Sequence, residues 1–318
     1  MTQEATVTEF RNRLVKMGRH LRRWPSRGIT CYRLYERDIP AVPLVVDRYE
    51  KCLHIAEFAR PHNRTEFEHA RWLKVMCDTA AEALDTDPAL VFCKLRDRQR
   101  GASQYRRLDL ARREFVVSEG GLKFLVNLSD FVDTGLFLDH RCTRNMVRKL
   151  APGTRFLNLF GYTGSFSVYA AAGGAVETTT VDLSKTYVQW GKKNFLLNDL
   201  HGPTHRWVQE DAMRFVNSLD DRSQYDLVVV DPPTFSNSKR TEGDWQVQRD
   251  HGALLSKVVR HLSPGGIILF SSNFRKFQLE IDGLKGIQVR EISRQTVPED
   301  FRNRRIHRCW RIEKGGTG

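Results

Sequence analysis

Residues 157–165 read LNLFGYTGS, and this apolar strand followed by a two-glycine turn indicates the fold class. Gly161 and Gly164 allow the backbone to turn tightly and to approach a ligand. Ser165 is expected to cap the helix that follows. A strand, a glycine turn and a helix in this order are typical of nucleotide-binding α/β sheets. Many strand-to-helix turns contain two glycines, so the assignment needs support from the rest of the chain.

Strands and helices alternate regularly on either side of this stretch. Apolar segments predict strands at residues 155–160, 177–182, 206–210, 226–231 and 266–271. Two further strands are predicted near residues 287–291 and 306–312. The run at 227–230 is wholly apolar, as expected of a central parallel strand that is covered on both faces. The pattern predicts a doubly wound, Rossmann-like α/β sheet over residues 131–318.

The first 130 residues have a mixed pattern and are predicted to form a smaller α+β domain. Short alternating segments predict strands at 43–47, 54–58 and 92–95, and a helix covers about 65–84. A hairpin is predicted to join 115–117 to 122–126 across a Glu-Gly-Gly turn. We place the domain boundary near residue 130.

The chain is strongly basic, and the excess charge lies in two clusters within the first 113 residues and in an arginine-rich end at 302–311. Its 318 residues include 51 Lys and Arg against 38 Asp and Glu, which gives a net charge of +13. One cluster lies on a predicted amphipathic helix at 11–27, and the other at 94–113. Cations that meet phosphates, with rings that stack on unpaired bases, are what RNA binding requires. The alternative is that these charges only keep the protein soluble.

The predicted RNA contacts come from these two clusters. The candidate RNA-binding arginines are Arg19, Arg22, Arg23, Arg96, Arg98, Arg100 and Arg106. The aromatic residues that interleave the clusters are Trp24, Tyr32, Tyr35, Phe92 and Tyr105, and the alternative for these rings is a place in the hydrophobic core.

Composition also argues against several classes of protein. No run approaches the roughly 18 apolar residues of a spanning helix, and the start of the chain has no apolar signal region. The six cysteines are scattered without a Cys-x-x-Cys pair, so a cytoplasmic setting is the simplest expectation. No membrane association and no metal site are predicted, and His140 and His251 are interpreted as structural histidines.

Acidic residues follow three further strands of the predicted sheet. Asp182 can accept hydrogen bonds from both hydroxyls of a ribose, and Asp211 can accept one from an adenine amine. Asp231 precedes Pro232 and Pro233, which stiffen the loop and are expected to aim their carbonyls into the cleft. Each acid alone could be a helix N-cap. Their shared position at strand ends predicts a nucleotide-like ligand.

The type of ligand follows from what the glycine turn lacks. A third glycine and a phosphate-binding lysine are absent, which argues against dinucleotides and nucleoside triphosphates. S-adenosylmethionine has a ribose and an adenine without a phosphate, so the pattern predicts a class I methyltransferase. The predicted cofactor-binding residues are Phe137, Arg141, Asn158, Phe160, Gly161, Tyr162, Thr163, Gly164, Ser165, Asp182, Leu183, Ser184, Asp211, Ala212 and Asp231.

Several longer motifs resemble one family, the RlmK part, or carboxy-terminal half, of bacterial RlmK/L 23S rRNA guanine-N7 methyltransferases. The motifs are DTGLFLDHR at 133–141, LNLFGYTG at 157–164, TVDLS at 180–184, DPPTFSNSKR at 231–240 and QRDH at 248–251. Residues 31–35 and 95–101 extend the similarity over nearly the whole chain. The resemblance implies S-adenosylmethionine-dependent methylation of guanine N7, with 23S rRNA or the assembling large ribosomal subunit as the partner. The fused members carry an additional RNA-binding and methyltransferase half that has no counterpart here, so we expect that second activity to be absent.

The chemistry of guanine N7 sets modest demands on the protein. N7 has a free lone pair, so its methylation needs orientation and desolvation and no general base. We expect Asp231, Pro232 and Pro233 to frame the reacting groups. Phe235 is the candidate for stacking on the flipped guanine, and the alternative is a hydrophobic plug under the loop.

Three other functions remain open. Methylation of cytosine C5 needs a cysteine nucleophile, and residues 231–235 and 270–273 contain none. Methylation of an exocyclic amine usually employs Asp-Pro-Pro followed directly by an aromatic residue, whereas Thr234 stands in that position here. A non-catalytic RNA-binding protein of ribosome assembly is disfavoured by the glycine turn and the three acids.

Overall fold

A computed structural model divides the chain into two compact units. Unit 1 comprises Met1–Gly121, Val126–Thr134 and Asp300–Arg302, and unit 2 comprises Leu122–Leu125, Gly135–Glu299 and Asn303–Gly318. The structure describes residues 2–58, 60–96, 114–129, 133–237, 243–281 and 283–316. The predicted boundary near residue 130 lies within the second segment of unit 1.

Unit 1 is built on a four-stranded sheet with the order β1-β2-β3-β4. Its elements are α1 (Gln3–His20), β1 (Cys31–Glu36), β2 (Leu44–Tyr49), β3 (Cys52–Phe58), α2 (Glu66–Ala83), β4 (Val91–Arg96) and β5 (Glu114–Glu119). The first three strands are antiparallel, and β4 runs parallel to β3 after the α2 crossover. Thr65 begins α2 with a capping box in which Glu68 is the partner. The predicted strands and helix of this region are therefore present, and β1 is an additional strand.

The aromatic residues predicted to stack on RNA form part of the core of unit 1 instead. Trp24, Tyr32, Tyr35 and Phe92 are all buried, and the first three belong to the apolar cluster that α1 covers. The prediction was wrong for these four rings because proximity to arginines in sequence does not show which face of a strand is covered. Tyr105 lies outside the described residues.

Unit 2 contains a seven-stranded sheet with the order β14-β15-β13-β10-β7-β8-β9. After β6 (Leu122–Asn127), its strands are β7 (Arg155–Leu159), β8 (Glu177–Asp182), β9 (His205–Gln209), β10 (Tyr225–Val230), β11 (Phe235–Ser236), β12 (Trp245–Gln246), β13 (Leu262–Ser272), β14 (Ile287–Glu291) and β15 (Arg308–Lys314). Its helices are α3 (Arg141–Leu150), α4 (Ser165–Ala172), α5 (Lys185–Leu197), α6 (Ala212–Ser218), α7 (Val247–Arg260) and α8 (Ser293–Thr296). The predicted doubly wound α/β sheet is confirmed.

The central strand β10 shows why this sequence forms a sheet covered on both faces. Val228 and Val230 belong to one apolar cluster, whereas Leu227 and Val229 belong to another on the opposite face. Successive side chains of a strand point to opposite faces, so an unbroken apolar run requires two covers.

The strand order also fixes where a ligand can enter. From β7 the chain passes outward through β8 and β9, and it then returns to β10 on the other side of β7. The carboxyl ends of β7 and β10 therefore border the crevice where ligands bind in open α/β sheets. None of the helices in the described part of the chain combines the length and apolar character of a membrane span.

Candidate active site

The turn after β7 is held in an unusual backbone conformation. Phe160, Tyr162 and Gly164 have positive φ angles of 57°, 50° and 69°. Gly161 has an ordinary φ, but a Cβ there would lie 2.4 Å from Cγ2 of Thr180. The first glycine is thus required for close approach to the neighbouring strand and the second for its backbone conformation.

The second glycine also begins the following helix. Gly164 is the N-cap of α4, and the helix has no side-chain cap. The prediction that Ser165 caps this helix was wrong, because the left-handed Gly164 occupies that position and Ser165 is already helical. A Cβ on Gly164 would lie 2.5 Å from the Trp207 ring, so the turn is closely packed.

Asp182, at the end of β8, stabilises the glycine turn directly. Its Oδ2 accepts a hydrogen bond from Tyr162 N at 2.8 Å, and its Oδ1 accepts one from Ser184 N at 2.8 Å. Burial raises the pKa of Asp182 to about 6, because these two backbone donors offset the loss of solvation only in part. Each oxygen keeps a lone pair with which it can accept a ligand hydroxyl.

Two contacts that hold the turn come from residues distant in sequence. Thr163 Oγ1 donates to Gly135 O at 2.6 Å, and Asn194 Nδ2 donates to Thr163 O at 2.9 Å. The Asn194 Oδ1 accepts from Leu125 N at 2.8 Å. No sequence pattern identified Asn194, since an asparagine within a helix gives no sign of its partners.

The segment before α3 lies beside the turn. The Phe137 ring is 38% exposed, and its centroid lies 4.9 Å from that of Tyr162. The Tyr162 hydroxyl accepts from Gly135 N at 2.9 Å. Arg141 is buried at the first position of α3. Phe137 and Tyr162, both predicted cofactor contacts, are therefore in contact with each other.

The other predicted cofactor residues lie in the sheet or at helix starts. Asn158 is buried in β7 and donates to Ser167 Oγ at 3.0 Å. Its Oδ1 has no hydrogen-bond partner within the part of the chain that the structure describes. Asp211 and Ser184 are the N-caps of α6 and α5, and Leu183 and Ala212 adjoin them.

Asp231 stands at the end of β10 between two side chains. Ser271 Oγ donates to Asp231 Oδ1 at 2.6 Å, and His140 Nε2 lies 3.4 Å from Asp231 Oδ2. Burial lowers the pKa of His140, although the nearby carboxylates act to raise it, so the imidazole is neutral at pH 7.

The proline loop after Asp231 is less open than predicted. The Pro233 carbonyl accepts from Trp245 Nε1 at 2.9 Å, and Pro232 is buried. The expectation that both proline carbonyls face the cleft without competing donors was wrong for Pro233, because the β12 tryptophan reaches it. Phe235 is 42% exposed on the short strand β11, which pairs with β12. Residues 238–242 lie outside the described part of the chain.

The histidines of this region belong to a compact buried cluster. His140 and His307 stack with centroids 4.4 Å apart and an interplanar angle of 8°. His307 Nδ1 lies 2.9 Å from Asp139 Oδ2, and possible metal-ligand atoms of these three residues lie within 4.8 Å of one another. A single ion cannot lie near the planes of two parallel stacked rings, so the stack disfavours shared metal ligation by the two histidines. His251 is structural, since its Nδ1 lies 2.8 Å from Val247 O.

The predicted RNA-binding arginines are described only in part. Arg19, Arg22 and Arg23 are exposed at the end of α1 and just after it. Arg96 ends β4, and its backbone alone is described; the other candidates, Arg98, Arg100 and Arg106, lie outside the described residues.

The residues at the carboxyl ends of the strands fit a ligand that joins a neutral nucleoside to a positively charged group. The tight glycine turn allows a ligand to approach the backbone closely. Asp182 can accept hydrogen bonds from ribose hydroxyls, and Asp231 places a second carboxylate at the end of the neighbouring strand β10. Asp231 has no Lys or Arg nitrogen within 4 Å among the described residues. These features match the predicted adenosine-containing, sulfonium-bearing ligand.

Comparison with known proteins places the chain among methyltransferases. A family described as S-adenosylmethionine-dependent methyltransferase matches residues 37–303. Ribosomal RNA large subunit methyltransferase K of Neisseria meningitidis serogroup B is 44% identical over 308 residues, which cover 96% of this chain and 87% of that protein. Ribosomal RNA large subunit methyltransferase K/L of Allochromatium vinosum is 45% identical over 309 residues, 96% of this chain and 42% of that protein. The chain thus spans less than half the length of this K/L relative.

A solved structure supports the fold independently. SMU.776, a proposed methyltransferase crystallised with SAH, superposes with a TM-score of 0.76 at 23% identity, covering 96% of this chain and 81% of the other. At this identity the likeness concerns the fold.

Proposed function

The chain belongs to the S-adenosylmethionine-dependent methyltransferase family, and from this premise we propose that it methylates N7 of a guanine in 23S rRNA. The observation that carries the rRNA substrate is the 44% identity to a large-subunit methyltransferase K along 87% of that relative. The site supplies the reasons for choosing N7.

The residues proposed to bind the cofactor all belong to unit 2. Bound S-adenosylmethionine supplies a methyl group on a positively charged sulfonium. Asp182 accepts from the ribose hydroxyls, Gly161 and Gly164 allow close approach of the backbone, and Phe137 packs beside Tyr162 to cover the ligand. Asp231 provides negative charge opposite the sulfonium. Arg141 and Asp211 are the proposed partners of the methionine carboxylate and the adenine amine.

The part of the site that would hold the target base favours methyl transfer to a ring nitrogen that carries no proton. One oxygen of Asp231 accepts the Ser271 hydroxyl, and the other faces the neutral His140 at 3.4 Å. Methylation of an exocyclic amine usually employs Asp-Pro-Pro followed directly by an aromatic residue, and Thr234 stands in that position here. Guanine N7 needs orientation in a dry site and makes no such demand.

Cytosine C5 methylation needs a reactive cysteine, and the cysteine beside the carboxyl end of β13 is not reactive. Cys309 is paired with Ser271 in the β13–β15 ladder, but it is fully buried. Burial raises the pKa of the Cys309 thiol far above neutral, so it cannot supply a thiolate nucleophile.

We assign RNA contacts to unit 1, whose exposed Arg19, Arg22 and Arg23 can meet phosphates. An RNA affinity that falls steeply with salt concentration is expected for such contacts. An affinity that hardly changes with salt would argue against them.

The experiment that tests the function is methylation of 23S rRNA by the purified chain. Naked rRNA and immature large subunits are incubated with isotopically labelled S-adenosylmethionine, and the digested nucleosides are identified by mass spectrometry. Labelled 7-methylguanosine is expected. Labelled 5-methylcytidine or an N-methylated exocyclic amine would replace the N7 assignment, and cofactor binding without any product would favour the non-catalytic alternative.

Phe235 offers a sharper test of the part of the site that would hold the target base. Its exposure predicts that Phe235→Ala leaves folding and cofactor affinity nearly unchanged. If the ring stacks on the target base, methyl transfer at limiting RNA should fall about 5- to 150-fold, since base–aromatic stacking contributes roughly 1–3 kcal/mol. Phe235→Trp should retain most activity. A folding defect in Phe235→Ala with the cofactor bound normally by Phe235→Trp would support the plug role.

A further inference from the structure

His140, the residue before α3, places one of its ring nitrogens beside the carboxylate of Asp231. Its Nε2 lies 3.4 Å from Asp231 Oδ2 and 3.8 Å from Asp139 Oδ2. The residue is 6% exposed. Its other nitrogen, Nδ1, is buried and has no hydrogen-bond partner among the residues that the structure describes. Both carboxylates therefore lie beside the same ring nitrogen.

These surroundings favour one form of the His140 imidazole. A neutral histidine carries its proton on one ring nitrogen and can accept a hydrogen bond with the other. With the proton on Nδ1, a buried donor would lack a partner and the Nε2 lone pair would meet two carboxylates, both of which cost free energy. With the proton on Nε2, the donor lies beside the negative charge. The structure therefore favours the Nε2–H form.

Two rings hold His140 in this place. The stacked ring of His307 covers one face, and the Phe166 ring makes an edge contact with a centroid distance of 5.5 Å and an interplanar angle of 69°. His307 is itself fixed, because its Nδ1 lies 2.9 Å from Asp139 Oδ2 and its Nε2 lies 3.1 Å from Thr296 Oγ1. The packing thus keeps the same nitrogen of His140 beside Asp231.

The charges around His140 keep its imidazole neutral near pH 7. The titratable and charged groups that face it are Asp139, Asp231, Arg144 and His307. Burial is the largest effect and lowers the pKa of His140; the two carboxylates act to raise this pKa, and the two basic groups act to lower it. Cys309 also feels the charge of Asp231, but burial raises the pKa of its thiol, which stays protonated. A neutral donor leaves the negative charge on Asp231, whereas a protonated imidazole would cancel it.

We propose that His140 is a positioning residue for methyl transfer, whose Nε2–H keeps Oδ2 of Asp231 ionised and oriented while the Ser271 hydroxyl holds Oδ1. The carboxylate then keeps one orientation and its full charge for the cationic cofactor. The inference rests on the proposed function for the role of Asp231. It adds a functional role to a histidine that the sequence alone suggests is structural.

The first test is nitrogen NMR of the full chain with isotopically labelled histidine, in which the spectrum of His140→Gln identifies the His140 signals. Nε2 should be the protonated nitrogen near neutral pH. The pKa of His140 should be lower by about 1 with S-adenosylmethionine bound than with S-adenosylhomocysteine bound, because only the former places a positive charge opposite Asp231.

His205 is the internal control for this titration. Burial lowers its pKa as well, but it begins β9 at the amino ends of the parallel strands. Its titration should therefore be the same with the two ligands.

Activity at saturating cofactor and RNA supplies a second test. His140→Phe keeps a ring in the stack and removes the donor, so methyl transfer should fall about 10-fold. His140→Gln keeps an N–H donor that does not titrate, so it should retain most of the activity and lose it only at a lower pH than wild type. His205→Gln is the matched control and should keep the wild-type rate and pH profile.

An imidazole protonated on Nδ1 would overturn the role of His140. Equal His140 titrations with the two ligands, or equal rates for His140→Phe and wild type, would do so as well. The NMR samples contain no RNA, so their outcome does not depend on which base is methylated. The expected proton position and pKa difference, together with a product other than 7-methylguanosine, would refute the N7 assignment and retain the role of His140. Formation of 7-methylguanosine by a chain with an Nδ1–H imidazole would do the reverse.

Discussion

The two ends of the central strands carry the same acid–serine pair in different surroundings. At the amino ends, Asp226 accepts from Ser263 Oγ at 2.6 Å; at the carboxyl ends, Asp231 accepts from Ser271 Oγ at the same distance. Arg155 adds two hydrogen bonds of 3.0 Å from its guanidinium to Asp226. Asp231 instead faces the neutral His140. The charge at one edge is balanced by Arg155, whereas the charge at the other has no Lys or Arg partner among the described residues, as the proposed sulfonium site requires.

The contrast distinguishes the paired carboxylate of Asp226 from that of Asp231, for which we propose a role in the site. Burial acts to raise the pKa of Asp226, but the hydrogen bonds from Arg155 and Ser263 outweigh it and lower the pKa to about 2. Such an ion pair stabilises the folded state and has little charge left to offer a ligand.

The largest effect is expected from neutralising the carboxyl-edge acid. Asp231→Asn keeps the side-chain size and removes the charge, so methyl transfer should fall about 100-fold or more, the range measured when one electrostatic group of an active site is removed. Its folding should change little. Asp226→Asn is the matched control and should retain full activity at saturating cofactor. Equal losses of activity in the two variants would break the comparison.

The glycines on either side of β7 provide the second test. Gly164→Ala must place a methyl group 2.5 Å from Trp207 in a left-handed backbone, and we expect a loss of about 2–3 kcal/mol in unfolding free energy. Gly153 precedes β7 with a φ of 73° and no atom within 4 Å of the added Cβ. Gly153→Ala should therefore lose only about 1 kcal/mol. Denaturant unfolding measures the free energy of unfolding of both variants. Equal losses would show that the contact with Trp207 adds no cost beyond that of the left-handed backbone.

The pH dependence of cofactor binding tests Asp182. Its folded pKa, about 6, lies above the ordinary value, so this group favours folding more at low pH, and that contribution is lost as the pH rises towards 6. Ribose hydroxyls bind the ionised form, so affinity should rise with pH up to about 6 and then level off. Below that point it should fall by up to tenfold per pH unit. Titration calorimetry with S-adenosylhomocysteine over this pH range measures the affinity.

Two variants isolate the group responsible. Asp182→Asn should bind weakly and lose the pH dependence near 6, whereas Asp211→Asn should keep it. A pH dependence that persists in Asp182→Asn would assign the titration to another residue.

The smallest effect is expected on the unfolding free energy when Asp226, at the amino end of β10, is neutralised. The lowered pKa of Asp226 means that its stabilisation is present above about pH 4 and is lost as the pH falls towards 2. Both side chains are about one-third exposed, so solvent screening reduces the contribution to about 1 kcal/mol. Asp226→Asn should lower the unfolding free energy by this amount at pH 7 and show little difference from wild type near pH 2. No difference at either pH would mean that the edge is stabilised by other contacts.

What could be predicted from the sequence was mostly local. The apolar run at 227–230 and the acids Asp182 and Asp231 located the sheet and its carboxyl edge, because strand period and strand ends are properties of neighbouring residues. The partners of Asn194 and the Trp245 bond to Pro233 join segments distant in sequence, and no local pattern records them. The buried Tyr35 shows the same limit, since composition cannot tell a core ring from one that meets RNA.

Close packing around the glycine turn has a practical consequence for spectroscopy. Trp190 and Trp207 lie so near Gly135 and Gly164 that a Cβ on either glycine would come within 2.5 Å of an indole ring. Indole emission responds to small changes in polarity and nearby quenchers. Binding of the cofactor at this turn, as proposed, should therefore change the emission of these two indoles, so that ligand occupancy can be followed without a label.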